Sequence, residues 1–248
     1  MEAEEKETVE QEAEGSAPVK AYSVIADDVE LLKKYQDYNA DVVGIIRIPG
    51  TVLNHPVMQT RSDEEYYLMR GLDKQYNPHG VPFLSARSEM EGKGGNRIIY
   101  GHNIHKKTRD IFCDLAGYED LAFYQEHPII ETVSESGTRQ WLIFAYYLVD
   151  NADDEPFKYS DTVDFLSMAA YTAYMDEVGE RNWLCVPYEH SIDDTYLTLS
   201  SCSNELAGSG TNRMVVMAVQ IPYGLDISAQ VADTVMAEEP RLPDKLSK

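Results

Sequence analysis

Short β-branched runs, each closed by a turn signal, constrain this 248-residue chain more than any other feature. Val42-Val43-Gly44-Ile45-Ile46-Arg47-Ile48 stops at Pro49-Gly50, and a short strand is expected near Val81–Leu84. Asn96–Gly101 contains Arg-Ile-Ile-Tyr and reads as a buried strand. Ile129–Val133 and Gln140–Val149 flank Ser134-Glu135-Ser136-Gly137, a hairpin signal. Tyr196–Ser201 and Met214–Ile221 are the last strong strands. Helical patterns are fewer. Asp27–Tyr38 carries Val29, Leu32 and Tyr35 on one face. Ser62-Asp63-Glu64-Glu65 has the form of a capping box and predicts a short helix through Met69. Two short helices are expected near Asp110–Leu115 and Glu119–Glu126. The longest pattern starts at Ser160, with Val163, Leu166, Ala170, Tyr174 and Val178 in one stripe. Strands and helices do not alternate as they do in a doubly wound sheet. The inventory therefore predicts a mainly β fold, a barrel or sandwich with inserted helices. One domain over 25–225 is expected. It follows a leader over 1–24, with seven glutamates in its first twenty residues, and precedes a tail over 226–248.

Composition narrows the function. Apolar residues make up 43% of the chain, enough for a sizeable core. With 43 acidic and 21 basic residues the net charge is −22, which repels phosphate backbones and anionic lipid surfaces. Nucleic acid is excluded as a partner on that ground. Three cysteines, Cys113, Cys185 and Cys202, do not make a disulfide framework, and without a CxxC pair there is no zinc ribbon. No run of about 18 apolar residues offers a bilayer span, and no signal h-region follows Met1. Read literally this is a soluble cytosolic protein; the other reading is a chain without its anchor.

The last two strands carry the chemistry. Cys202 stands where Tyr196–Ser201 ends and Arg213 where Met214–Ile221 begins, with ten Gly- and Ser-rich residues between them. Antiparallel pairing would set them opposite each other, about 5 Å apart at Cβ. A nucleophilic thiol needs a base or a charge partner. His102, at the end of the Ile98–Tyr100 strand, is the best placed of the histidines. Cys, His and Arg divide the work of acyl transfer: attack on a carbonyl, proton transfer to the leaving amine, and hydrogen bonds to the oxyanion or the substrate backbone. Each residue also has a plainer reading, a packed thiol, a capping imidazole and a solvated strand-end charge. His102 and His105 with Cys113 or Asp114 make a poor metal set, because Gly101-His102-Asn103 is a poor helix interior. No metal is expected. Cys113 and Cys185, each beside apolar neighbours, read as structural, and the tyrosine-rich stretches Tyr146-Tyr147 and Tyr171 to Tyr174 as packing.

These residues resemble the sortases, cysteine transpeptidases of Gram-positive cell surfaces, most closely class B. Thr198-Leu199-Ser200-Ser201-Cys202 resembles the signature around the nucleophile, Tyr100-Gly101-His102-Asn103 the histidine box, and Asn212-Arg213-Met214-Val215-Val216 the start of the arginine strand. Asp41–Thr51 and His55-Pro56-Val57-Met58-Gln59 are similar to the first barrel strands. Phe112-Cys113-Asp114-Leu115, the helix before the cysteine strand and the N-terminal helix resemble class B; no Asp-Pro-aromatic lid motif precedes the barrel. Two departures stand out: Ser201 replaces the usual Thr, and Ser203-Asn204 follow the cysteine. The resemblance implies an eight-stranded barrel without cofactor or metal. Cys202 would attack the Thr carbonyl of a C-terminal sorting motif, of the Asn-Pro-x-Thr type, on a surface protein. His102 would be acid and then base, and Arg213 the oxyanion or positioning group. Ser200, Ser201 and Asn103 would bind substrate. A peptidoglycan-precursor or pilin amine would resolve the thioester at the outer face of the membrane, with an anchor not in this chain. A cysteine endopeptidase that uses water, and an inert surface binding module, are the alternatives.

Overall fold

The computed structural model describes residues 20–104, 108–151, 156–202 and 212–243, and at Cys202 the backbone alone. The leader up to 19, His105, Ser203-Asn204 and the last five residues of the tail lie outside the described residues. Eight strands close into a barrel. They are β1 (Val42–Arg47), β2 (Asn54–Met58), β3 (Phe83–Leu84), β4 (Asn96–Gly101), β5 (Ile129–Ser134), β6 (Gly137–Asp150), β7 (Tyr196–Cys202) and β8 (Asn212–Ile221). The order around the barrel is β1-β2-β3-β4-β7-β8-β6-β5. Neighbours run antiparallel except β2 with β3 and β4 with β7, which are parallel.

Alternation along the strands sorts the apolar residues into two layers. Leu197 and Leu199 of β7, Met214, Val216 and Ala218 of β8, and Ile99 of β4 fill the barrel interior with Trp141 and Phe112. Tyr196, Val215, Met217 and Val219 face outward and are covered by Phe157, Tyr159, Tyr171, Tyr174 and Val178. That second layer is why β6 to β8 read as continuous apolar runs: both of their faces are buried. Tyr146, Tyr147, Tyr171 and Tyr174 are all in the packed layers.

Helix α1 (Ala26–Tyr38) forms where the sequence predicts it. Its anchor is polar. Asp28 accepts from Nη1 and Nη2 of Arg47 and from Thr138 Oγ1 at 2.6–2.9 Å. The Arg47 hydrogen bond lowers the Asp28 pKa despite its burial. Val29, expected on the packed face, is exposed, and Leu32 makes the apolar contact. Among the described residues the other helices are α2 (Leu121–Glu126), α3 (Met168–Arg181) and α4 (Ser228–Ala232), with 3-10 helices over Cys113–Glu119 and Tyr159–Asp161.

Further expectations need correction, among them the helix near Asp110–Leu115: Asp110–Ile111 is a strand, and a 3-10 helix begins only at Cys113. No helix follows Ser62: residues 64–69 form turns, and Glu64 Oε1 accepts from Ala86 N at 2.7 Å instead of closing a capping box. The long helix starts at Met168, capped by Ser167, whose hydroxyl accepts from Ala170 N at 3.2 Å. Residues 160–163 instead give their carbonyls to the barrel side, to Arg87 and Asn96, and Leu166 is 91% exposed. Cys185, expected to be packed, is exposed, whereas Cys113 is buried. Among the described residues no helix is long and apolar enough to cross a membrane.

Candidate active site

The site is built by three strand ends. In the antiparallel β7–β8 pair Cys202 is the register partner of Arg213. In the parallel β4–β7 pair Ser201 is opposite Gly101, so the next residues, Cys202 and His102, leave the sheet side by side. The register thus gathers 102, 202 and 213 at one mouth of the barrel, although a hundred residues separate the first two. By alternation, Ser200, Arg213 and Val215 share the outer face of their strands.

His102 is half-buried and held at two points. Its Nε2 lies 2.8 Å from the Leu68 carbonyl, and its own carbonyl accepts from Phe112 N at 3.0 Å. A carbonyl oxygen only accepts, so Nε2 carries the hydrogen. Nδ1 is then the nitrogen left to take up or release a proton. Arg213, also half-buried, has among its interactions a hydrogen bond from Nη1 to the Asn212 carbonyl at 3.2 Å. Asn103, half-buried, begins a two-stranded ribbon, Asn103–Ile104 with Asp110–Ile111.

Ser200 and Ser201 are 3% and 1% exposed. Ser200 Oγ lies 2.6 Å from the Tyr159 hydroxyl, and Ser201 Oγ donates to the Gly101 carbonyl at 2.9 Å. Both hydroxyls are thus already partnered within the protein. The Ser201 bond laces β7 to β4 one residue before positions 202 and 102. Thr198 works similarly lower down: its Oγ1 donates to Asn96 Oδ1 at 2.8 Å, and Asn96 Nδ2 donates to the Thr162 carbonyl. The alternate hydroxyls of Thr198 and Ser200 therefore hold segment 157–163 against the outer face as a wall beside the mouth. Sequence reasoning missed Leu68 and Tyr159. A backbone carbonyl in a turn-rich loop carries no sequence signal, and Tyr159 is one of seventeen tyrosines. Among the described residues no group of three or more His, Cys, Asp or Glu side chains is arranged to hold a metal ion.

A sortase domain model matches residues 46–221, nearly the whole barrel. The chain belongs to the sortase family. Sortase B of Staphylococcus aureus is 31% identical over 180 residues, which cover 73% of this chain and 70% of that protein. Sortase B of Listeria monocytogenes is 29% identical over 174 residues, covering 70% and 68%. Among solved structures, an S. aureus sortase B–substrate complex superposes with a TM-score of 0.68 at 27% identity, over 79% of this chain and 86% of that one. Sortase B from L. monocytogenes gives 0.63 at 28% identity, over 76% and 99%. The sortase resemblance read from the motifs, its class B character and the eight-stranded barrel are thereby established, and the protein is a cysteine transpeptidase of the class B type.

Proposed function

We propose that this sortase cuts a C-terminal sorting motif of the Asn-Pro-x-Thr type and transfers the protein on its acyl side to an amine at the outer face of a Gram-positive membrane. The Cys202 thiolate attacks the Thr carbonyl, and Arg213 donates hydrogen bonds to the oxyanion that forms. His102, protonated at Nδ1, gives that proton to the leaving amine as the C–N bond breaks, and a Cys202 thioester remains. The acceptor amine, from a peptidoglycan precursor or a pilin lysine, then attacks the thioester. His102 takes its proton, the new amide forms and the thiolate leaves. Arginine suits the oxyanion because its fork is always charged and offers several donors in a fixed plane. The observation that carries the reading is the strand register, with 202 opposite 213 and 102 beside it at one mouth. The buried, partnered hydroxyls of Ser200 and Ser201 favour a supporting part for them rather than contact with the peptide.

The test offers a library of sorting-type peptides with and without added amine and reads the products by mass spectrometry. Wild type should form a thioester on the peptide that contains Cys202 and, with amine, the new amide. Cys202→Ala should abolish turnover, His102→Ala should lower it at least a thousandfold, and Arg213→Lys at least a hundredfold, because a point charge cannot replace the fork. Near-normal turnover in Arg213→Lys would remove the role given to that residue. Turnover unaffected by amine would make the protein a hydrolase.

A further inference from the structure

His102 is held from two directions by two segments that are separate in the chain. Leu68, which meets its imidazole, lies in the long connection between β2 and β3. Phe112, which meets its carbonyl, directly follows the ribbon that comes after β4. One side chain joins these segments to each other and to the barrel. Asp110 Oδ1 lies 3.0 Å from His55 Nε2 at the start of β2, and Oδ2 lies 3.3 Å from His79 Nδ1, on the same connection as Leu68. Asp110 Oδ1 also accepts from the backbone N–H of Ile111 at 2.9 Å. Ile111 has φ +54°, a left-handed conformation that a β-branched side chain adopts only when its surroundings impose it. It precedes Phe112, so this turn sets where the Phe112 N–H points.

We propose that Asp110 is a positioning residue for acyl transfer: one carboxylate, bound to His55, His79 and the Ile111 N–H, locks together the two segments that orient His102. The inference rests on the acid–base role given to His102 above. Among the described residues the side-chain partners of Asp110 are His55, His79 and the Ile111 N–H, which tie it to the segments that hold His102. Burial lowers the His55 pKa against the opposing pull of Asp110, and in either protonation state its Nε2–H can donate to that carboxylate. The cluster draws on residues 55, 79 and 110, which no sequence spacing connects.

The test compares Asp110→Ala, Asp110→Asn, His79→Ala and His102→Ala, using as probe the Asn-Pro-x-Thr peptide that wild type turns over fastest, and records the 15N spectrum of the His102 imidazole. Asp110→Ala should lower kcat at least tenfold with KM for the peptide within twofold. It should also convert the His102 signals from a single Nε2-protonated tautomer to a mixture. Asp110→Asn keeps an acceptor for Ile111 and His55 and should recover most of kcat. If Asp110→Ala does not fold, His79→Ala carries the test, with kcat lowered at least threefold and the same spectral change. Unchanged kcat and an unchanged His102 spectrum in the folded variant would overturn the proposal. A normal rate in His102→Ala would instead remove the acid–base reading itself. An inactive His102→Ala beside a wild-type-like Asp110→Ala would remove only the role of Asp110.

Discussion

Gly101 has no room for a side chain. A Cβ there would lie 2.8 Å from two ring carbons of Phe112 and 2.9 Å from Ile111 Cγ2. The ring is fully buried in the barrel interior and cannot swing aside without opening a void. Phe112 also carries the N–H that holds the His102 carbonyl. Gly101→Ala should therefore act twice, lowering stability by about 1–3 kcal/mol through overpacking and moving the imidazole of the next residue. Thermal melting reads the first effect. A fall in kcat larger than the loss of folded protein reads the second. A variant that melts and turns over like wild type would show that Phe112 yields more easily than its packing implies. The glycine of the Tyr-Gly-His-Asn motif was legible in the sequence as part of a motif, but its reason was not. That reason is a phenylalanine eleven positions later, brought back by the strained turn at Ile111. The juxtaposition of positions 102, 202 and 213, which supports the proposed roles, was within reach of the sequence because each stands at the end of a strongly patterned strand. Asp110, His79 and Tyr159 stand in a two-residue strand, a turn and a single 3-10 turn, elements too short for a pattern to point to a partner.

Elements were legible where pattern and packing agree. β4, β7 and β8 fall within a residue or two of their predicted bounds, because β-branched runs between turn residues have few other solutions. The stripe from Ser160 to Val178 shows the opposite case. Its first third has helical spacing, but Asn96 and Arg87 claim the carbonyls of residues 160–163, and the helix waits for the Ser167 cap. Local propensity lost to a long-range contact, which a single sequence does not display. The β5–β6 hairpin supplies a pH test. Arg139 Nη2, Ser136 Oγ and Ser136 N all reach Glu91, which ties the loop ahead of β4 to the hairpin turn. Burial pushes the Glu91 carboxyl up, but the Arg139 and serine hydrogen bonds outweigh it and bring the pKa from 4.5 down to about 2. A folded-state pKa below the unfolded value means stability that is fully present above about pH 4.5 and is lost as pH falls toward about 2. Because the carboxylate is partly exposed, water screens it, and the contribution at neutral pH is about 1 kcal/mol. Glu91→Gln should thus be less stable than wild type at pH 7, with the difference shrinking to nothing near pH 2. Denaturant melts at several pH values check this, and a constant difference across that range would refute it.

At the scale of the whole molecule, the strand inventory foretold a barrel or sandwich but not which of the two. Closure depends on β1 pairing with both β2 and β5, and on the parallel β4–β7 contact between strands almost a hundred residues apart. One domain over 25–225 is the simplest account of the strand inventory. Residues beyond 225 nevertheless pack against it. Val235–Met236 pairs with Leu184–Cys185, Ala237 N donates to the Trp183 carbonyl at 2.9 Å, and Arg241 N donates to the Glu180 carbonyl at 2.8 Å. Val231, Met236 and Leu242 pack on the barrel-interior cluster, and the Arg241 guanidinium pairs with Glu177 and Glu180 of α3. The exposed ion pairs contribute little, so the docking energy is the apolar burial, roughly 2–4 kcal/mol for three side chains that are only partly covered. A chain that ends at Leu225 should therefore still close its barrel, since every barrel strand precedes that point. It should nevertheless melt about 5–15 °C lower than the full chain and gain exposed apolar surface around Trp183 and Leu184. Differential scanning calorimetry with a dye that reports apolar exposure measures both effects together. Equal melting temperatures would mean that residues 226–243 rest on the barrel without stabilising it, and the domain would then end where the strand pattern does.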